Sequence, residues 1–314
     1  MDPLSDLLRD VRADGAIFSQ AVLSPPFSLR FMDDVPLTMV TLLRGSGWIV
    51  TADGRRDRLE QWDTAVIRGG EPFVFTDDPD AVGVAAQEIH CVGDCGIDDL
   101  DCYDGMMWGN DPDGQTALAV GVYRAEGTRH LRLLEALPPV LVIGEDAAGR
   151  AVLEELMAEV TANRPGGQAV LDRLLDWGLV CTLRKWFEGP DSEPPAWYQA
   201  HSDPAVGRAL RAMHRTPSAN WTVEALANEA KVSRAWLAKR FSQLMGQSPL
   251  AYLTQWRMTL AEDLLAQPNS TVAAVAKRVG YANAFAFSAA FKRLYGVSPA
   301  QYRSARPAAV SAAA

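Results

Sequence analysis

Long apolar runs are missing from this chain. No stretch reaches the roughly 18 consecutive apolar residues that a single membrane-spanning helix needs, so the sequence excludes one. Cysteine is scarce: Cys91, Cys95, Cys102 and Cys181 form no regular framework, which fits a reducing compartment rather than a disulfide-stapled secreted fold. Histidine is equally scarce. His90, His130, His201 and His214 include no H-x-H pair, which weighs against a histidine-rich catalytic metal centre. The N-terminus, M-D-P-L-S-D-L-L-R-D, lacks the basic segment and apolar core of a secretory leader. A cytoplasmic protein without a cofactor is expected.

What is present is unevenly spread. With 314 residues, 48% of them hydrophobic, the chain can build two domains with separate cores. Its net charge of −9 conceals a division. Residues 196–314 hold 14 Lys+Arg against 5 Asp+Glu, a net +9, whereas residues 1–195 hold 16 against 34, a net −18. The basic part points to a polyanionic partner, and the acidic part to another task.

The basic part repeats itself. Residues 222–252, T-V-E-A-L-A-N-E-A-K-V-S-R-A-W-L-A-K-R-F-S-Q-L-M-G-Q-S-P-L-A-Y, align with 271–302, T-V-A-A-V-A-K-R-V-G-Y-A-N-A-F-A-F-S-A-A-F-K-R-L-Y-G-V-S-P-A-Q-Y. Thr222 pairs with Thr271, and Phe241, Gly246, Pro249 and Tyr252 with Phe291, Gly296, Pro299 and Tyr302, with one extra residue entering at the turn. Two copies are too few to stack as a solenoid, so a pair of similar modules is expected. Each reads as helix, turn, helix. Val223, Leu226, Ala227 and Ala230 form one stripe and Leu237, Phe241 and Leu244 the next. Ser233 and Asn283 suit N-caps, Gly280 a tight turn, and each G-x-S-P a glycine C-terminus followed by a serine cap and proline at N1. This predicts a C-terminal all-α domain with two helix-turn-helix motifs, whose second helices enter the major groove of double-stranded DNA.

The segment from Gly280 to Arg303 resembles the C-terminal signature of the AraC/XylS family of transcription regulators, and the likeness extends over residues 204–303. Matched residue by residue, the resemblance places Arg234, Ala235, Ala238 and Lys239 at base-facing positions. Ser233 and Arg240 suit phosphates. The second recognition helix departs from the pattern, which has F-S-R-x-F-K where this chain has F-S-A-A-F-K: Ala289 cannot donate to a base edge. Asn283, Ser288, Lys292 and Arg293 remain, mainly for phosphate positioning. Trp236 is given packing and no base contact. The family resemblance also implies RNA polymerase as a partner, activation of target genes and a homodimer.

Residues 27–76 carry short strands: T-M-V-T-L-L-R, a G-S-G turn, W-I-V-T-A, a D-G turn, R-R-D-R-L, then T-A-V-I-R and P-F-V-F-T. D-G between apolar runs is a hairpin signal, and many short strands indicate a small barrel. Further strands are expected at 116–123 and 140–143, and an opening helix at 4–13. The order resembles the cupin-like sensor domain of one branch of the family, giving an N-terminal cupin-like β-barrel with a helical hairpin. The expected organisation is 1–145 sensor, 146–187 helical hairpin for packing or dimerisation, 188–203 linker, 204–303 DNA-binding domain and 304–314 a disordered tail. In the hairpin, helices over 147–162 and 167–187 are lined by Val152, Leu153, Leu156, Met157 and Val160, then by Leu171, Leu174, Leu175, Leu179, Leu183 and Trp186.

Two sensing chemistries stay open. A small-molecule effector could enter the barrel beside Trp48, Phe73 and Phe75, although each also suits a filled core. His90, Cys91, Cys95 and Cys102 form a loop suited to a thiophilic metal, to redox chemistry or to nothing, with inert thiols the plainest reading. A metal-dependent cupin enzyme is disfavoured, because Phe73 stands where such a domain would place its late histidine, and Trp62-Asp63 where Gly-Asp is usual. The expected function is that of an effector-controlled, DNA-binding transcription regulator and not an enzyme.

Overall fold

The computed structural model describes all residues except 1–2, 10, 14–18, 33, 82–85, 91–100, 105–106, 126–128, 145–148, 152, 156–157, 159–163, 190–191, 268–269 and 306–314. Two compact units emerge, and they do not follow chain order. One joins Val11–Ala125 to Leu137–Ser192; the other joins Met1–Asp10 and Glu126–Ala136 to Glu193–Ala314.

The first unit is a pair of β-sheets around one core. One sheet runs β10 (Asp101–Asp104), β11 (Met107–Gly109), β2 (Ser19–Leu23), β12 (Thr116–Ala125), β4 (Leu37–Arg44), β7 (Asp63–Arg68), β13 (Val140–Gly144), with β1 (Val11–Arg12) beside β12. The other runs β6 (Arg56–Leu59), β5 (Gly47–Thr51), β8 (Phe73–Thr76), β3 (Ser28–Phe31), β9 (Gln87–Ile89). The expected turns are in place: Gly45 and Gly54 both take φ +84°, and β5 pairs antiparallel with β6, Trp48 facing Arg58. Trp62, standing where a glycine is usual, adopts φ 71°, a left-handed conformation that costs a non-glycine residue about 1–2 kcal/mol; its N–H donates to the Leu42 carbonyl at 2.7 Å.

Strands β4 and β12 are buried on both faces instead of alternating, because helix α3 (Gly167–Glu188) covers their outer side. The Tyr123 hydroxyl donates to the Leu175 carbonyl at 2.9 Å, and a Cβ on Gly121 would lie 3.1 Å from Leu175. The inward face of α3 is Leu171, Leu175, Leu179, Thr182, Leu183 and Phe187. Leu174 and Trp186, expected on that face, are half-buried on its flanks, since the 3.6-residue period drifts over six turns and Phe187 takes the last inward position. Most of the helix expected at 147–162 lies outside the described residues, Val152, Leu156, Met157 and Val160 among them; Leu153 is buried. The opening helix is shorter than its pattern: α1 spans Pro3–Leu7, and Val11–Arg12 pair instead with β12.

The second unit is helical. It contains α1, α2 (Arg129–Glu135), α4 (Ala196–Ser202), α5 (Val206–Arg215), α6 (Val223–Ala230), α7 (Arg234–Met245), α8 (Pro249–Ala266), α9 (Val272–Arg278), α10 (Ala284–Tyr295) and α11 (Pro299–Ala305). Helix α4 occupies the stretch expected as linker, and its Ala200 is fully buried in the first helical core. That core gathers Leu210, Met213, Leu226, Leu237, Phe241 and Leu253, while a second gathers Met258, Leu265, Val275, Phe287 and Phe291.

Candidate nucleic-acid interface

Two helix-turn-helix pairs, α6–α7 and α9–α10, flank α8. Their starts are fixed by side-chain caps that satisfy otherwise orphan N–H groups. Thr222 accepts from Ala225 N at 3.0 Å and Ser233 from Trp236 N at 3.2 Å; Thr271 accepts from Ala274 N at 3.2 Å and Asn283 from Ala286 N at 2.8 Å. Gly246 and Gly296 end α7 and α10 at φ 67° and 77°. Ala227 and Ala276, both 1% exposed, sit inside the two cores where the crossing helices demand small residues.

The turns differ. Gly280 takes φ +84°, and a Cβ there would lie 2.6 Å from the Ser218 backbone, so both conformation and space require glycine. Its counterpart in the first turn is Lys231, at φ 58°. Arg257, on α8, ties the halves together. Its guanidinium donates to the carbonyls of Pro217 at 2.7 Å and Ala219 at 2.8 Å and lies 5.8 Å over the Tyr281 ring. Burial lowers its pKa, and those carbonyls offset the lost hydration.

On α7, Arg234, Ala235 and Lys239 are exposed and Ala238 is half-buried. Trp236 is 45% exposed, so its indole is not core. It borders a cleft of ≈ 640 Å³ lined by Asp203, Val232, Lys239, Arg240 and Gln243. Arg240 is less available for a phosphate than its position suggested: its Nε donates to the Asp203 carboxylate at 2.9 Å. Burial raises the Asp203 pKa, but N–H groups of Val206 and Ala205 together with Arg240 bring it below the usual range. On α10, Ser288 is half-buried, Lys292 and Arg293 are exposed, and the Asn283 carboxamide oxygen is engaged in its cap. Phe285, which carries no role in the sequence reading, is 85% exposed on the same helix.

A buried polar chain also escaped the sequence reading. Asp6, 2% exposed, contacts His214 Nδ1 through Oδ2 at 2.6 Å; His214 Nε2 meets the Tyr252 hydroxyl at 2.7 Å and its ring stacks on Trp256 at 4.3 Å. Residues some 200 positions apart thus form one network inside the helical unit. No local pattern announces such a pairing.

The sensor residues fall out differently. Phe73 and Phe75, 5% and 0% exposed, are core: Phe73 stacks on Phe31 at 4.8 Å and Phe75 on Phe27 at 5.5 Å. Both rings belong to the hydrophobic core cluster that also holds Phe27, Phe31 and Ile49. Trp48 is half-buried on β5, outside that core cluster. In the cysteine loop, Cys91 and Cys95 lie outside the described residues, His90 is exposed, and Cys102 belongs to β10, its backbone facing Trp108. Among the described residues no cluster of three or more His, Cys, Asp or Glu could hold a metal. No helix among them is long and apolar enough to cross a membrane.

Comparison with known proteins agrees with this architecture. Residues 2–188 match a cupin family and residues 226–305 a helix-turn-helix domain. The chain is 30% identical over 311 residues to a protein of Streptomyces lividans described as an AraC-like transcription regulator, covering 96% of this chain and 98% of that one. It is 26% identical over 314 residues to the helix-turn-helix transcriptional regulator AlkR of Acinetobacter baylyi, covering 96% and 99%. A solved structure of the DNA-binding domain of AdpA, a global transcriptional factor, in complex with a target DNA is 36% identical, covering 33% of this chain and 93% of that chain, with a TM-score of 0.31.

Proposed function

Because this chain belongs to the AraC-type transcription regulators that carry an N-terminal cupin domain, we propose that α7 and α10 engage two successive major-groove segments on one side of a duplex. The observation that carries this is the placement of two capped recognition helices on either side of α8, whose 18 residues span ~27 Å, close to one ~34 Å turn of DNA. Helix α7 reads sequence through Arg234 and Lys239, because an arginine or lysine on guanine O6/N7 is the commonest specific contact. Ser233 meets a phosphate through the helix start, and Lys292 and Arg293 anchor α10 on the backbone. In this reading a small-molecule effector acts through the cupin domain, and target genes are activated through RNA polymerase, as family membership suggests.

A homodimer through α3 is part of the same proposal. Val170 and Trp177 are 43% and 48% exposed, with half-buried Leu174 and Cys181 completing a stripe at i, i+4, i+7 and i+11 on the side away from the sheet. Genome-wide footprinting of the full chain, with affinity for a footprinted site measured against salt, tests the DNA reading. A steep log–log fall is expected, with a slope near −0.9 per phosphate neutralised. A salt-independent interaction, or none, overturns it.

A further inference from the structure

Helix α10 is short of hydrogen-bonding groups on the surface it presents. Ala286 and Ala289 are exposed and Ala284 is half-buried, and Ala282, exposed just before the Asn283 cap, adjoins the same face. Ser288 is half-buried, and Asn283 has committed its carboxamide oxygen to the Ala286 N–H, leaving only its amide nitrogen. Lys292 and Arg293 begin two turns further along. Yet the surface is not featureless. Phe285 projects from the first turn at 85% exposure, whereas Phe287 and Phe291 on the same helix are fully buried. Counting from the caps Ser233 and Asn283, Phe285 occupies the register that Ala235 holds in α7.

The major-groove edges of the four base pairs offer donors, acceptors and one apolar group, the thymine 5-methyl. A face built of three alanines and one protruding phenyl ring matches only the last. The small alanines let the helix approach the groove floor while the ring reaches beyond them. We infer that Phe285 reads thymine methyl groups in the second groove segment and is the specificity-determining residue of α10. The inference rests on the proposed groove placement of α10 and adds to it a base identity and a residue. The two helices then divide the work by chemistry: α7 selects guanine through charge, and α10 selects thymine through apolar contact.

The test uses the full chain and a duplex enriched by it from random-sequence DNA. Thymines in the segment under α10 are replaced by deoxyuridine, which removes only the methyl and leaves every pairing and groove hydrogen-bond group. Wild type should lose affinity about fourfold for each contacted methyl, the factor corresponding to ~0.8 kcal/mol per buried methylene. Phe285→Ala should bind the thymine duplex more weakly and be indifferent to deoxyuridine. Because the ring is solvated, this variant should keep wild-type thermal stability. Equal sensitivity of wild type and variant to deoxyuridine overturns the inference while leaving the groove placement intact. Unchanged affinity of Phe285→Ala on every duplex does the same and hands the ring to a protein partner. If wild type enriches no duplex at all, the proposed function itself fails, and the inference with it.

Discussion

The two helix-turn-helix halves repeat one scaffold with different locks and different outward faces. Both use a threonine cap, a buried alanine at the crossing, a glycine after the recognition helix, and a fully buried phenylalanine, Phe241 or Phe291. The tyrosine that follows each S-P pair is kept as well, but its partner has changed. Tyr252 meets His214, which Asp6 holds from the other side; Tyr302 donates to Glu262 at 2.7 Å, as Tyr295 does at 2.8 Å. One lock takes its carboxylate, Asp6, from the far N-terminus; the other takes Glu262 from α8, with Arg132 of α2 close enough to act on Tyr295. Duplication has held the positions that set geometry and released those that set chemistry. The half that borrows its carboxylate from a distant segment should therefore be the one most easily broken.

Asp6→Ala tests that asymmetry most severely. It removes a buried carboxylate together with its contact to His214 and its 2.9 Å ion pair with Arg9. Leaving a buried imidazole nitrogen without its partner should cost on the order of 3 kcal/mol. Urea unfolding followed by circular dichroism should show a clear drop in midpoint, and a fragment of residues 204–303 should be weaker still. A wild-type midpoint for Asp6→Ala would mean that the N-terminal segment contributes nothing to the helical unit.

The outward faces are compared by base preference. Arg234→Ala should relax selection at the groove segment under α7 by ~2 kcal/mol, and Asn283→Ala should change selection under α10 far less. Sites selected from a random pool give the answer directly. Matched losses of information in both segments would contradict a division of labour between the helices.

How much of this was legible in the sequence follows from the range of the interactions. Caps, turn glycines and helix stripes are local, so Ser233, Asn283, Gly280 and both recognition helices could be placed from spacing alone. Strands fared nearly as well, because D-G and G-S-G turns announce themselves. Pairings between distant segments could not be read. Asp6 looks like an ordinary acidic residue near a terminus until His214 is seen beside it, and Asp203 gives no hint that it will hold Arg240. Phe285 was hidden for another reason: in F-A-F-S-A-A-F the three phenylalanines look alike, and only the helical phase turns one outward and two inward.

Removing the second lock's charge should cost less than removing Asp6, and both locks are sensitive to alkaline pH. Burial pushes the Tyr295 phenol far above its usual range, and the neighbouring Glu262 carboxylate adds to the shift; burial raises Tyr252 as well. Unfolded tyrosines ionise near pH 10, whereas these resist ionisation while the protein is folded. Their contribution is fully present below about pH 10 and is lost as pH rises beyond it. Unfolding free energy should be flat between about pH 8 and 9 and fall above about pH 10. Glu262→Gln keeps an acceptor but removes the charge, so it should cost ~1 kcal/mol at neutral pH and make the alkaline fall shallower. An identical alkaline profile in the variant would remove Glu262 from the account.

The smallest effect separates anchoring from reading. Lys292 is exposed in the last turn of α10, beyond the apolar face that carries Phe285. A solvated lysine there meets a phosphate through charge alone, and a phosphate carries no sequence. Lys292→Ala should therefore weaken binding equally on preferred and random duplexes and flatten the log–log salt dependence by about one unit. Arg234→Ala, which removes a charge and a base contact together, should flatten the same slope and also erode preference. The pair of variants thus separates two roles that one binding curve would confuse. If Lys292→Ala shifts base preference instead, α10 reads sequence by hydrogen bonding after all, and the contrast between the two recognition helices disappears.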